Sequence, residues 1–90
     1  MPCSMEDNQS SHNGSEAMAT TIRFENDSPD DVLVYWLDYS GNRVLYAALG
    51  PGSFYYQRTY VTHPWVITDT YGECIQMHLS YGTASTATVD

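Results

Sequence analysis

Phe54-Tyr55-Tyr56-Gln57-Arg58-Thr59-Tyr60-Val61-Thr62-His63-Pro64-Trp65-Val66-Ile67-Thr68 reads as a strand, a tight turn and a second strand. From Phe54 to Val61 the residues fall into two alternating sets. Phe54, Tyr56, Arg58 and Tyr60 point one way, and Tyr55, Gln57, Thr59 and Val61 the other, as side chains do along a pleated strand. Thr62-His63-Pro64 turns the chain, and Trp65 to Thr68 resumes an extended, apolar run. Between Thr59 and Trp65, a hydroxyl, an imidazole and an indole fall within seven residues.

The same pattern repeats upstream and downstream. Thr20 to Phe24 is β-branched and aromatic, and reads as a first strand. Asn26-Asp27-Ser28-Pro29-Asp30-Asp31 is dense in turn formers and ends it. Val32 to Leu37 is apolar on both faces, as in a central strand. Tyr39-Ser40-Gly41-Asn42 makes a hairpin turn, and Arg43 to Leu49 returns antiparallel. Gly50-Pro51-Gly52 stops that strand. After Asp69-Thr70-Tyr71-Gly72, Glu73 to Tyr81 alternates again, with Ile75, Met77, Leu79 and Tyr81 on one side. About six short strands with turn signals between them predict an all-β fold, a small antiparallel β-sandwich. No helix and no internal repeat is written.

Residues 1–18 are polar, acidic and aperiodic, and are expected to be a disordered tail. The sandwich is expected over residues 19–81. Residues 82–90 read as a small-residue tail or a weak last strand.

Ninety residues allow one domain, with a core rich in aromatics: eight tyrosines and two tryptophans. The formal charge is −8, with three arginines and no lysine. This excludes a phosphate-backbone binder and an anionic membrane surface as partners. The two cysteines, Cys3 and Cys74, give no disulfide framework and suit a reducing compartment. Met1 to Ser10 has no apolar run of the secretory kind. The expected location is intracellular, in cytoplasm or nucleus.

Catalytic and metal chemistry find little support. His12, His63 and His78 lie far apart, and neither cysteine has a close partner for zinc. Thr59 is four residues from His63, but a threonine within a chain is a poor nucleophile. No catalytic residue, metal or cofactor is expected, and the chain is read as a non-enzyme. A binding pocket remains. Trp36, Tyr46 and Trp65 can form apolar walls, and Thr59 and His63 a polar floor that both donates and accepts. Read singly, the tryptophans also suit plain core, Thr59 an ordinary strand position and His63 an exposed turn.

Phe24-x-Asn26-x-Ser28-Pro29, Val32-Leu33-x-x-Trp36-Leu37-x-Tyr39-x-Gly41, Tyr46-x-x-Leu49-x-Pro51-Gly52 and Thr59-Tyr60-x-x-His63-x-Trp65 together resemble the β domain of the von Hippel-Lindau tumour suppressor family. The resemblance covers about half of the chain, from Phe24 to Ile67. In that family the β domain is a sandwich that binds 4-hydroxyproline in a target protein, as the substrate-recognition part of a ubiquitin ligase. The resemblance implies that Trp36, Tyr46 and Trp65 line the pocket and that Thr59, on a family serine, and His63 bond the hydroxyproline hydroxyl. It sets Tyr39 on a family phenylalanine, Tyr60 beside the peptide groove and Arg58 on a family histidine.

The expected function is therefore a module that recognises a prolyl-hydroxylated protein segment. The alternative is a stand-alone interaction sandwich without hydroxyproline recognition or ligase recruitment. The family's helical α domain, which docks elongin, has no counterpart here, and no Ser/Thr-Leu-x-x-x-Cys motif is present. Any ligase components are expected to come through another chain.

Overall fold

The computed structural model describes residues 1–12 and 18–90. Seven strands form: β1 (Ala19–Asn26), β2 (Val32–Leu37), β3 (Arg43–Leu49), β4 (Phe54–Tyr60), β5 (Pro64–Thr68), β6 (Cys74–Leu79) and β7 (Ser85–Val89). They make two sheets, β4-β1-β7 and β3-β2-β5-β6, packed as a sandwich. The chain changes sheet four times, after β1, β3, β4 and β6.

Alternation decides what each strand buries. Ile22 and Phe24 from β1, Val32 and Val34 from β2, Trp65 and Ile67 from β5, and Ala87 and Val89 from β7 meet between the sheets, with Leu49 closing the cluster. Phe24 is central: its ring lies 5.7 Å from that of Tyr55 and 5.5 Å from that of Trp65. Asn26, at the end of β1, is fully buried because four hydrogen bonds satisfy it. Its amide donates to the carbonyls of Asp30 and Leu49, and its side-chain oxygen accepts from the Ser28 amide and hydroxyl.

Residues 82–90, read as a small-residue tail or a weak last strand, contain the strand β7, which pairs parallel to β1 from Ile22↔Ser85 to Asn26↔Val89. The sandwich is thus antiparallel apart from this pair. Ser, Thr and Ala residues carry little apolar signal, but Ala87 and Val89 are small enough to sit against Phe24 in the core. Within β6 the expected single-sided set is broken, because a bulge opposite Ile67/Thr68 turns Ile75 outward while Met77 stays buried.

The larger correction is at the N-terminus. Cys3–Asn8 forms a short 3-10 helix. Cys3 is bridged to Cys74 across 71 residues, so the cysteines are not free and their number no longer argues for a reducing compartment. Glu6 pairs with Arg43 at 2.6 Å, and Ser11 is buried, with its hydroxyl on the Leu37 carbonyl. This segment is held by one covalent bond and a few polar contacts rather than by an apolar periodicity. Residues 13–17 of the expected tail lie outside the described residues.

Behind the segment is a second apolar cluster. Leu37, Val66 and Met77, with Tyr35 and Cys74 against them, lie on the face of the four-stranded sheet opposite the core, since Val66 alternates with Trp65 and Ile67. Leu37 and Val66 have no exposed surface.

Candidate functional site

At one end of the sandwich, the β2–β3 turn, the β4–β5 turn and the start of β1 come together. Val61 N–H donates to the Met18 carbonyl, and Thr62 N–H to the Ser80 carbonyl. The His63 carbonyl accepts both the Ser80 amide and the Ser80 hydroxyl, at 3.1 and 2.7 Å. Thr62 takes a φ of 75°, an uncommon choice for a β-branched residue, as the chain passes from one sheet to the other. These bonds fix the His63 backbone, and the ring is buried rather than exposed.

A cavity of about 170 Å³ opens there, lined by Trp36, Tyr39, Tyr46, Arg58, Thr59, Tyr60, His63 and Trp65. These are the eight residues singled out from the sequence, and the fold brings them around one space. Trp36 and Trp65 are register partners on β2 and β5. Tyr46 is the extra residue of a β3 bulge, because Val34 pairs with Ala47 and Tyr35 with Leu45. Bulges re-aim a side chain, and the Tyr46 ring stands 5.0 Å from that of Trp65, edge-on. Tyr39, on the β2–β3 turn, puts its ring 5.5 Å from Trp36 and 5.8 Å from His63.

The polar floor spans the two sheets. Thr59 comes from β4 and Trp65 from β5, and the indole Nε1 donates to Thr59 Oγ1 at 3.0 Å. Thr59 therefore has its hydroxyl proton left to give. Burial pushes the His63 imidazole below its ordinary pKa. The His12 backbone nearby acts the other way, and the His12 ring lowers it further. His63 is thus neutral at pH 7 and offers one nitrogen as an acceptor. Burial, and then Tyr46, push the Tyr55 phenol beside this region up to about 12. Trp36 Nε1 and Tyr55 Oη are buried with no hydrogen-bond partner among the described residues.

Arg58 is exposed on the cavity wall. Arg23 pairs with Glu25 and Arg43 with Glu6, whereas Arg58 makes no ion pair among the described residues. No cluster of His, Cys, Asp and Glu able to hold a metal ion occurs among the described residues.

The VHL beta domain model matches residues 10–75, most of the chain and all of the cavity wall. The chain belongs to the VHL beta domain family. No curated protein matches it significantly. The VHL beta domain is a substrate-recognition module rather than a catalytic family, and its partners are proteins. The match begins at Ser10 and so includes Ser11, which sequence reading left in a disordered tail. Nothing local in Ser10-Ser11-His12 signals its burial, because its partners are Leu37 and Asp38.

Proposed function

We propose that this protein reads 4-hydroxyproline in an extended segment of a target protein. The observation that carries the reading is the polar pair facing the aromatic cavity. Thr59, its oxygen already accepting from Trp65, has a proton to donate, and neutral His63 has a lone pair to accept. A ligand hydroxyl between them accepts from Thr59 and donates to His63. The protons of Trp65 Nε1, Thr59 and the ligand hydroxyl then each have one acceptor.

Size and selectivity support the same reading. A cavity of about 170 Å³ lies below the ~300–1,000 Å³ usual for small-molecule sites, which suits one ring on a peptide better than a free cofactor. Unmodified proline would leave Thr59 and His63 desolvated without the shared partner, at about 1–3 kcal/mol per group. Hydroxylation would then act as the switch for binding. Arg58, exposed on the cavity wall and without an ion pair among the described residues, would favour a carboxylate beside the modified proline. We assign ubiquitin-dependent turnover as the setting by analogy with the family.

The test is Thr59→Val, which removes the hydroxyl at nearly constant shape. The variant should keep only the part of the preference for the hydroxylated peptide that His63 supplies, and so prefer it by about 1–3 kcal/mol less than the parent does. An undiminished preference in the variant would remove Thr59 from the site.

A further inference from the structure

The N-terminal segment touches the cavity's frame, not only the back of the sheet. From Cys3 it runs over the outer face of the four-stranded sheet. The Cys3–Cys74 bridge ties the start of the chain to the first residue of β6. Glu6 then forks onto Arg43, whose guanidinium also donates to the Gly72 carbonyl. At Gln9 the chain passes so close to the β2–β3 turn that a Cβ on Gly41 would stand 3.0 Å from the Gln9 carbonyl. Ser11 follows, its amide on the Asp38 carbonyl at 3.0 Å and its hydroxyl on the Leu37 carbonyl at 2.5 Å. Trp36 and Tyr39, which flank those two carbonyls in the chain, both line the cavity.

We propose that residues 2–12 form a strap that positions the pocket: fastened by Cys3–Cys74, it holds through Ser11 the turn that carries Tyr39, so that opening the disulfide loosens the binding site. Reduction is a two-electron exchange. A dithiol attacks the bridge and leaves as its own disulfide, and Cys3 and Cys74 return as thiols. Cys3 is partly exposed, so a reductant has access. In a reducing compartment such bridges are transient and regulatory. The strap then couples redox state to ligand binding.

Ser11 is a positioning residue here, since it acts through the turn and does not line the cavity. The consequence for affinity rests on the hydroxyproline reading, but the effect on the turn does not. The experiment has two readouts on the whole chain. Amide hydrogen exchange is followed at Ser11 and at Ser40 to Asn42, in the parent with the bridge intact and after treatment with a dithiol, and in Ser11→Ala with the bridge intact. Affinity for a hydroxyproline peptide is measured on the same samples, and on Ser11→Ala and Ser11→Thr with the bridge intact.

Reduction should speed exchange at the turn, ahead of the core strands, and weaken peptide binding roughly 3- to 10-fold, as expected for one or two lost hydrogen bonds. Ser11→Ala should reproduce the weaker binding with the disulfide in place, and Ser11→Thr should largely restore it. If the reduced chain unfolds, Ser11→Ala carries the test. Turn exchange unchanged in both the reduced chain and Ser11→Ala would overturn the proposal, as would full peptide affinity in Ser11→Ala. If the peptide binds no form, the hydroxyproline reading fails, and turn exchange alone decides the strap.

Discussion

Thr59 serves two purposes at once. It accepts from Trp65 across the sheets, and it faces the cavity. Replacing it by valine therefore leaves the indole N–H buried without a partner, and the fold should lose about 1–3 kcal/mol in chemical denaturation even with no ligand present. Asn26 shows the same logic without any role in the pocket. Four hydrogen bonds converge on its side chain at zero exposure. Asn26→Ala should cost roughly 2–4 kcal/mol, read from the urea midpoint, because several partners lose their bond together. On the proposed reading, His63 sets a pH dependence on binding. Protonation removes its acceptor nitrogen, so affinity for a hydroxylated peptide should fall as pH drops through a value below the usual histidine range. A titration flat from pH 7 to well below that range would argue against His63 as the acceptor.

At the scale of the elements, the turns and bulges do the positioning. Gly41 and Gly52 both sit at positive φ, 81° and 79°. A side chain there costs about 1–2 kcal/mol from the backbone alone. A Cβ on Gly52 meets nothing, whereas one on Gly41 meets the Gln9 carbonyl. Gly41→Ala should therefore be the more destabilising of the two in thermal melts, by the extra displacement of the strap. Equal losses would mean that the strap does not press on the turn. The central strands were legible in the sequence because alternating apolar residues and turn formers are local signals. The bulge at Tyr46 was not, since it is a mismatch of register between two strands. Nor was the parallel pairing of β7, whose partner lies more than fifty residues away. The pocket residues were legible through a family resemblance. Thr59 and His63 taken alone looked like any strand threonine and turn histidine.

In the whole molecule, long-range links replace what a small core lacks. The Cys3–Cys74 bridge spans 71 residues, and a loop of that length constrains the unfolded chain by about 4 kcal/mol in the chain-entropy account. Reduction should lower the melting temperature substantially, by roughly 4–8 °C per kcal/mol in a domain of this size. The sequence could not show this, because Cys3, Glu6 and Ser11 have partners at Cys74, Arg43 and Leu37 and no pattern of their own. Stability should also depend on pH. Burial lowers the pKa of both His63 and His78 in the folded state. Between those values and the unfolded ~6.5, the unfolded chain binds more protons. The contribution is therefore fully present above pH ~6.5 and is lost as pH falls through the folded values. His78→Gln should flatten part of that slope in denaturation curves taken between pH 7 and 5.

The central claim is that the cavity reads a hydroxyl on proline. Its most direct test is calorimetric titration of the whole chain, shown to be folded, with a family-type Leu-x-x-Leu-Ala-hydroxyproline peptide and its unhydroxylated twin. The account predicts measurable binding of the hydroxylated peptide and little or none of the other. Equal binding of both, or binding of neither, would contradict it and leave an interaction sandwich whose Thr59 and His63 serve the fold alone.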